Sequence, residues 1–244
     1  MTPEETCAAV AAAVTELASH FMLAPDTYAN AMSKGFEGMD FYVAGRGSAL
    51  GDVPGDVVAA AFVFFNPETI VAAWDRTASL VPRHEAALLF AAAGHDWADT
   101  HLPDDLDCAR LAELAGKVEA AASPAGAPIF AGWRTLPEPD ADRPKALALH
   151  RMNALRELRM ARHGGAVLAA GLSPQEALLV RTPYMAGLFG WAEPYPEVEH
   201  CKEAWAAAEE STDRAMSPIF AVLDKAERTE LAEVANAARV ATAR

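Results

Sequence analysis

Alanine constrains this chain most: 56 of its 244 residues are alanine, against ten Phe, five Trp and four Tyr. Alanine is the strongest helix former and a poor strand former, so an all-β fold is excluded. With aromatics at only 8%, the helices are expected to approach one another through small side chains. A helical unit of this length buries most of the surface its unfolded chain exposes. The expected fold is therefore all-α, a single multi-helix domain of about ten helices spanning residues 1–244.

Proline and capping residues punctuate the chain. Thr2-Pro3-Glu4-Glu5 reads as a capping box opening a helix over 4–23, and Pro25 restarts a shorter one through Met32. Residues 35–55 carry six glycines and read as a loop, the least helical stretch; Phe41-Tyr42-Val43 is the one strand-like run and is too short. A helix over 54–65 is ended by Asn66-Pro67, because the residue before proline is pushed out of the α region. Helices are expected over 67–79, 82–99, 104–122 and 126–134, closing an N-terminal half (4–134). After an acidic, proline-rich linker, the half from 141 to 244 holds the longest helix, over 145–168. The capping box Ser173-Pro-Gln-Glu176 opens a helix to about Gly187, and a final pair covers 197–223 and 226–241.

Charge narrows the function. Twenty Lys and Arg against 34 Asp and Glu give a formal net charge of −14. DNA binders draw affinity from a basic surface, and anionic membranes repel an acidic one, so neither nucleic acid nor membrane is an expected partner. Three dispersed cysteines argue against a disulfide framework or zinc knuckle. The acidic N-terminus is unlike a signal peptide, and no apolar run is read as reaching the ~18 residues of a membrane span. A cytoplasmic protein is the expectation.

The helix over 145–168 carries the most chemistry. At about 100° per residue, Asn153, Arg156, Glu157, Arg159 and His163 share an arc of roughly 160°, with Met152 and Met160 among them. Two arginines on a face that also holds methionines require partners. One reading is a ligand carboxylate or phosphate; the other is an internal network pairing Arg156 or Arg159 with Glu157 or Asp213. Arg46, in the glycine-rich stretch Gly-Arg-Gly-Ser-Ala-Leu-Gly, adds an anion-binding candidate beside the start of the next helix. That stretch lacks the Gly-Lys-Ser/Thr ending of a P-loop, and Ser48 is not in a nucleophile elbow. His95, Asp96, Asp99 and His101 cluster at a helix end and read as solvated. Glu197-x-x-His200 has di-iron spacing but only Glu16 and His20 come near to a second pair. No metal or cofactor is expected, and Cys201 beside His200 shows no thiolate-activating pattern.

Two blocks, FYVAGRGSALGDVPGDVVAAAFVFFNPETIVAAW (41–74) and LRELRMARHGGAVLAAGLSPQEALL (155–179), resemble the signature blocks of an actinobacterial helix-turn-helix (SalK-like) family. Arg46, Leu50, Gly51, Val53, Phe62, Phe65 and Pro67 match the first; Leu155, Arg156, Glu157, Arg159 and His163 match the second. The segments PAGAPIFAGWRTLPEP (124–139) and AAAEESTDRAMSPIFAVL (206–223), the latter through Glu209 or Glu210, Thr212 and Asp213, are similar to two more. The resemblance implies a helical scaffold with a pocket rather than a particular reaction. The chain departs from it where Leu158, Met160 and Ala161 replace the family's His, Gly and Asp. Only AEPYPEVEHCKEAW separates Trp191 from the Thr-Asp helix, too little for the family's winged segment.

The expected function is small-molecule binding, through Arg46, Asn153, Arg156, Arg159, Met160, Asp213 and His20. The alternative is a redox-cofactor-independent enzyme of lyase, cyclase or hydrolase type, with His163 or Glu157 as acid/base. A transcription regulator is a third reading, and a homodimer is compatible with all three. At its ordinary pKa, His163 would make anion binding pH-sensitive between roughly pH 5.5 and 7.5.

Overall fold

The computed structural model describes residues 1–243. Twelve α-helices are present among them: α1 (Pro3–Leu23), α2 (Pro25–Met32), α3 (Asp40–Gly47), α4 (Gly55–Ala61), α5 (Pro67–Arg76), α6 (Arg83–His101), α7 (Cys108–Ala121), α8 (Pro128–Trp133), α9 (Pro144–Ala169), α10 (Pro174–Arg181), α11 (Lys202–Met216) and α12 (Lys225–Thr242). Short 3-10 turns join several of them, and no strand occurs among the described residues. The fold is all-α, as the alanine content requires.

The caps act where the sequence places them. Thr2 Oγ1 accepts from Glu5 N while Glu5 returns to Thr2 N, and Ser173 with Glu176 repeats the device at α10. Such reciprocal caps satisfy donors that no helix can pair internally. The helix expected to run to Gly187 ends at Arg181, because Thr182 precedes Pro183 and leaves the α region.

The glycine-rich loop is a correction. It contains α3, and Phe41-Tyr42-Val43 are buried helical residues rather than a strand. Its glycines permit close helix crossing: a Cβ at Gly45 would lie 2.4 Å from Phe90 Cβ, and one at Gly47 2.8 Å from Val58 Cγ1. Glycine composition signalled a loop; packing decided for a helix.

The helix expected over 54–65 stops at Ala61, and Phe62 to Phe65 form a turn in which Val63 has a φ of 36°. A β-branched residue in left-handed space costs about 1–3 kcal/mol. The turn aims Phe62 and Phe64 in different directions, with consequences described below.

α9 is the hub, packed by α1, α6, α7, α8 and α11, while α1 also lies along α12. Ala13, Ala87, Ala98, Ala115, Ala148, Ala154, Ala235 and Ala238, on the helices that make these crossings, are fully buried. The few aromatics are concentrated rather than spread: Phe21, Phe41 and Tyr42 surround Phe90 with ring centres 5.4–6.1 Å apart. Each fully buried phenylalanine contributes about 1.5–3 kcal/mol. α1 corrects one expectation, since an 18-residue window within its 21 residues has a mean hydropathy of 1.4, long and apolar enough to cross a membrane by length and composition. Here its buried face, Val10, Val14, Leu17 and Phe21, belongs to the core.

Candidate functional site

The arginine-rich face of α9 resolves into two centres one turn apart. In the first, Glu157 accepts a two-pronged pair of hydrogen bonds from Arg46 on α3, at 2.9 Å from Nε and 2.7 Å from Nη2. Arg156 Nη1 donates to the same carboxylate at 2.8 Å. The Glu157 side chain is 1% exposed. The Arg46 guanidinium lies 4.3 Å from the centre of the Phe62 ring and 5.6 Å from that of Tyr42. Burial alone would push the Glu157 carboxyl up, but Arg46 and Arg156 outweigh it and hold the pKa below the ordinary value. Burial likewise opposes the Arg46 charge, and Glu157 outweighs that too. A carboxylate so gripped is a poor proton donor or acceptor, which argues against Glu157 as the acid/base of a reaction.

Around this triad the polar balance does not close. Asn153, one turn before Glu157 and 1% exposed, has no protein partner for either its amide nitrogen or its amide oxygen. Arg156 Nε and Ser48 Oγ, the latter two residues beyond Arg46, are also buried without a protein partner. Each such atom costs about 1–3 kcal/mol when nothing satisfies it.

The second centre joins α9 to α11. Arg159 donates from Nη1 to Asp213 at 2.8 Å and from Nη2 to Glu209 at 3.0 Å. His163 Nδ1 lies 2.9 Å from Thr212 Oγ1, whose own hydroxyl donates to the Ala208 carbonyl at 2.7 Å. The threonine proton being committed, Nδ1 carries the imidazole hydrogen and Nε2 presents a lone pair. That lone pair faces Glu209 Oε1 at 3.8 Å. Phe64, from the strained turn, and Trp205 flank the imidazole, with centroids at 5.6 and 5.0 Å. Met160, half-buried, packs in the apolar cluster that includes Phe64 and Trp205.

Burial, reinforced by Arg159, pushes His163 down to about 4. The histidine is neutral at physiological pH, so the expected titration between pH 5.5 and 7.5 is corrected to a lower window. Burial also raises the Glu209 carboxyl. His163 Nε2 thus lies near, though beyond hydrogen-bond distance of, a carboxyl that burial raises, and Glu209 is the neighbour that residue spacing on α9 could not show.

Other candidates lie elsewhere. His20 Nδ1 is 2.8 Å from Thr242 Oγ1, on the α1–α12 side with Glu16 and Arg239, and joins neither centre. The cluster around His95 disperses into pairs: His95 Nε2 with His150 Nδ1 at 3.0 Å, Asp96 and Asp99 with Arg143, and His101 with Asp26. His150 was not legible as special; burial holds it and His95 at about 4. A cavity of about 490 Å³ on the α7 side, lined by Glu119, Arg134, Glu138 and Arg151 among others, shares no residue with either centre. In its wall burial, with Glu138 nearby, pushes Glu119 up to about 7. Among the described residues, one donor atom each from Glu176, His200 and Cys201 lies within 4.8 Å of the others.

No curated protein and no solved structure matches the chain. A family profile does, and it runs from residue 7 to residue 208, enclosing α3, the whole of α9 and the start of α11. By that span, which takes in most of the chain and every residue of the first centre, the protein belongs to a helix-turn-helix family.

Proposed function

We propose that this chain is a small-molecule-binding protein whose ligand carries a carboxylate or phosphate together with a hydroxyl. The carrying observation is Asn153, whose buried amide has neither its donor nor its acceptor paired within the protein. Arg156 Nε and the Asn153 amide nitrogen offer donors to an anion; Asn153 Oδ1 offers an acceptor to a hydroxyl. The Arg46–Glu157–Arg156 triad beside them carries two positive charges against one negative, so an incoming anion completes its charge. Binding sites commonly retain such stability-costing groups.

The same reading makes the chain a SalK-like, actinobacterial and cytoplasmic member that lacks the winged segment. The stretch from Trp191 to Lys202 contains a single 3-10 turn, Glu199–Cys201, which supports that view. With a charge of −14, no shift of duplex DNA is expected at ~150 mM salt.

Asn153→Leu tests the proposal. Replacing unpaired polar atoms by an apolar group of similar size is neutral or stabilising. Organic hydroxycarboxylates and sugar phosphates are screened by thermal shift against wild type, where a compound at 100 times its Kd contributes ~2.7 kcal/mol. The variant is expected to melt no lower than wild type and to ignore the compounds that shift it. A wild type that responds to none of them, or a variant that responds equally, overturns the reading.

A further inference from the structure

We propose that Glu176, His200 and Cys201 form a mononuclear site for a zinc-class divalent ion, with a fourth position open to solvent. The donors come from the first turn of α10 and from the 3-10 turn that leads into α11. His200 Nε2 lies 3.4 Å from Cys201 Sγ. A tetrahedral zinc with Zn–N of ~2.0–2.1 Å and Zn–S of ~2.3 Å sets those atoms about 3.5 Å apart, so one coordination edge is already formed.

The third donor is held in place. Glu176 Oε2 accepts from Ser173 N at 2.9 Å and from Ser173 Oγ at 2.7 Å, so the helix cap fixes the carboxylate beside the thiol. This is the outer-shell support that metal sites rely on. One nitrogen, one sulfur and one oxygen make a borderline-soft donor set, suited to zinc or cobalt and unsuited to magnesium or calcium. Cys201 is buried in the apolar cluster that holds Phe64, Val167, Leu172 and Ala177, while His200 stands at the surface and keeps an entry path. Neither Cys7 nor Cys108 belongs to any such group among the described residues.

The step balances without redox chemistry. The ion replaces the thiol proton, which leaves to solvent, and one thiolate and one carboxylate neutralise its two charges. Coordination would tie the start of α10 to the start of α11, and α11 carries Glu209, Thr212 and Asp213 of the second centre. The inference does not depend on the ligand reading above.

Cobalt(II) titration of the full chain, reduced and chelator-treated, tests the site. One equivalent is expected to produce a sulfur-to-cobalt charge-transfer band with four-coordinate visible bands, and zinc is expected to bleach both. Cys201→Ser should abolish the charge-transfer band, whereas Cys108→Ser keeps it. His200→Gln should weaken binding by at least the ~10-fold that outer-shell losses produce. Circular dichroism checks each variant; His200 is exposed, so its variant decides should Cys201→Ser fail to fold. Absence of the band in wild type, its persistence in Cys201→Ser, or unchanged affinity in His200→Gln overturns the site.

Discussion

Two ion-pair centres hang from one helix, a single turn apart, with the same residue types and different physics. In the Arg46–Glu157–Arg156 centre the acid is 1% exposed. In the Arg159 centre the acids Glu209 and Asp213 are 36% and 39% exposed. Coulomb attraction and desolvation both scale inversely with local dielectric, so the first centre is stiff and costly to disturb, the second soft. Residue chemistry alone does not assign a role; burial does. The first centre also has unpaired polar groups beside it, whereas the second holds an imidazole with a lone pair presented.

The largest expected effect separates them directly. Arg46→Met leaves Glu157 buried with one cation instead of two, and should cost about 3–5 kcal/mol in urea unfolding. Arg159→Met leaves acids that water can reach, and should cost no more than about 1 kcal/mol. Replacing the whole triad, Arg46→Met with Glu157→Leu and Arg156→Met, should recover most of the loss, since no charge is then left buried without its partner. Equal costs for the two arginines would break the comparison.

Acid should sharpen it. His95, His150 and His163 fall from 6.5 in the unfolded chain to about 4 in the fold. Between those values the unfolded state binds the protons and the folded state does not, so stability drops as pH falls through that window. Glu119 has the opposite sign: raised from 4.5 to about 7, its folded state holds a proton that the unfolded state has released. Three groups against one leave about two net protons, while His20, lowered by burial, and Glu209, raised by it, act in opposite directions, so stability measured by urea near pH 5.5 should rise by about 2 kcal/mol per pH unit. His163→Phe should flatten that slope by roughly a third to a half. A flat profile would contradict the buried, neutral histidines.

What could be read from the sequence was local. Caps and the arc shared by Arg156, Arg159 and His163 depend on residues a few positions apart, and they appear as expected, whereas the ends of the helices expected over 54–65 and from Ser173 to Gly187 come earlier. The pairing of Arg46 with Glu157 spans 111 positions. Residue types suggested both partners, while only packing could join them. Glu209 lay among the matched acids of α11 without a signal to single it out. The α3 glycines misled because composition cannot distinguish a loop from a helix that must come within touching distance of Phe90. Asn153 was named for its position on the face; that its amide is unpaired is a property of the fold.

The smallest expected effect probes the imidazole itself. In the wild type His163 donates from Nδ1 to Thr212, and Nε2 is the bare nitrogen. Thr212→Val keeps the shape of a fully buried side chain and removes the acceptor. If the tautomer were fixed, a buried N–H would be stranded, at about 1–3 kcal/mol. It is not fixed, since the hydrogen can move to Nε2, which faces Glu209 Oε1 at 3.8 Å. The flip should therefore limit the loss to about 1 kcal/mol in urea unfolding. Nitrogen-15 shifts of His163 at neutral pH should report Nδ1–H in the wild type and Nε2–H in Thr212→Val. Glu209→Gln added to Thr212→Val keeps a side chain that can accept, so the flipped state should persist there. Glu209→Ala removes the acceptor and should restore the larger penalty. An Nε2–H tautomer already present in the wild type would reverse the assignment of the lone pair that faces Glu209.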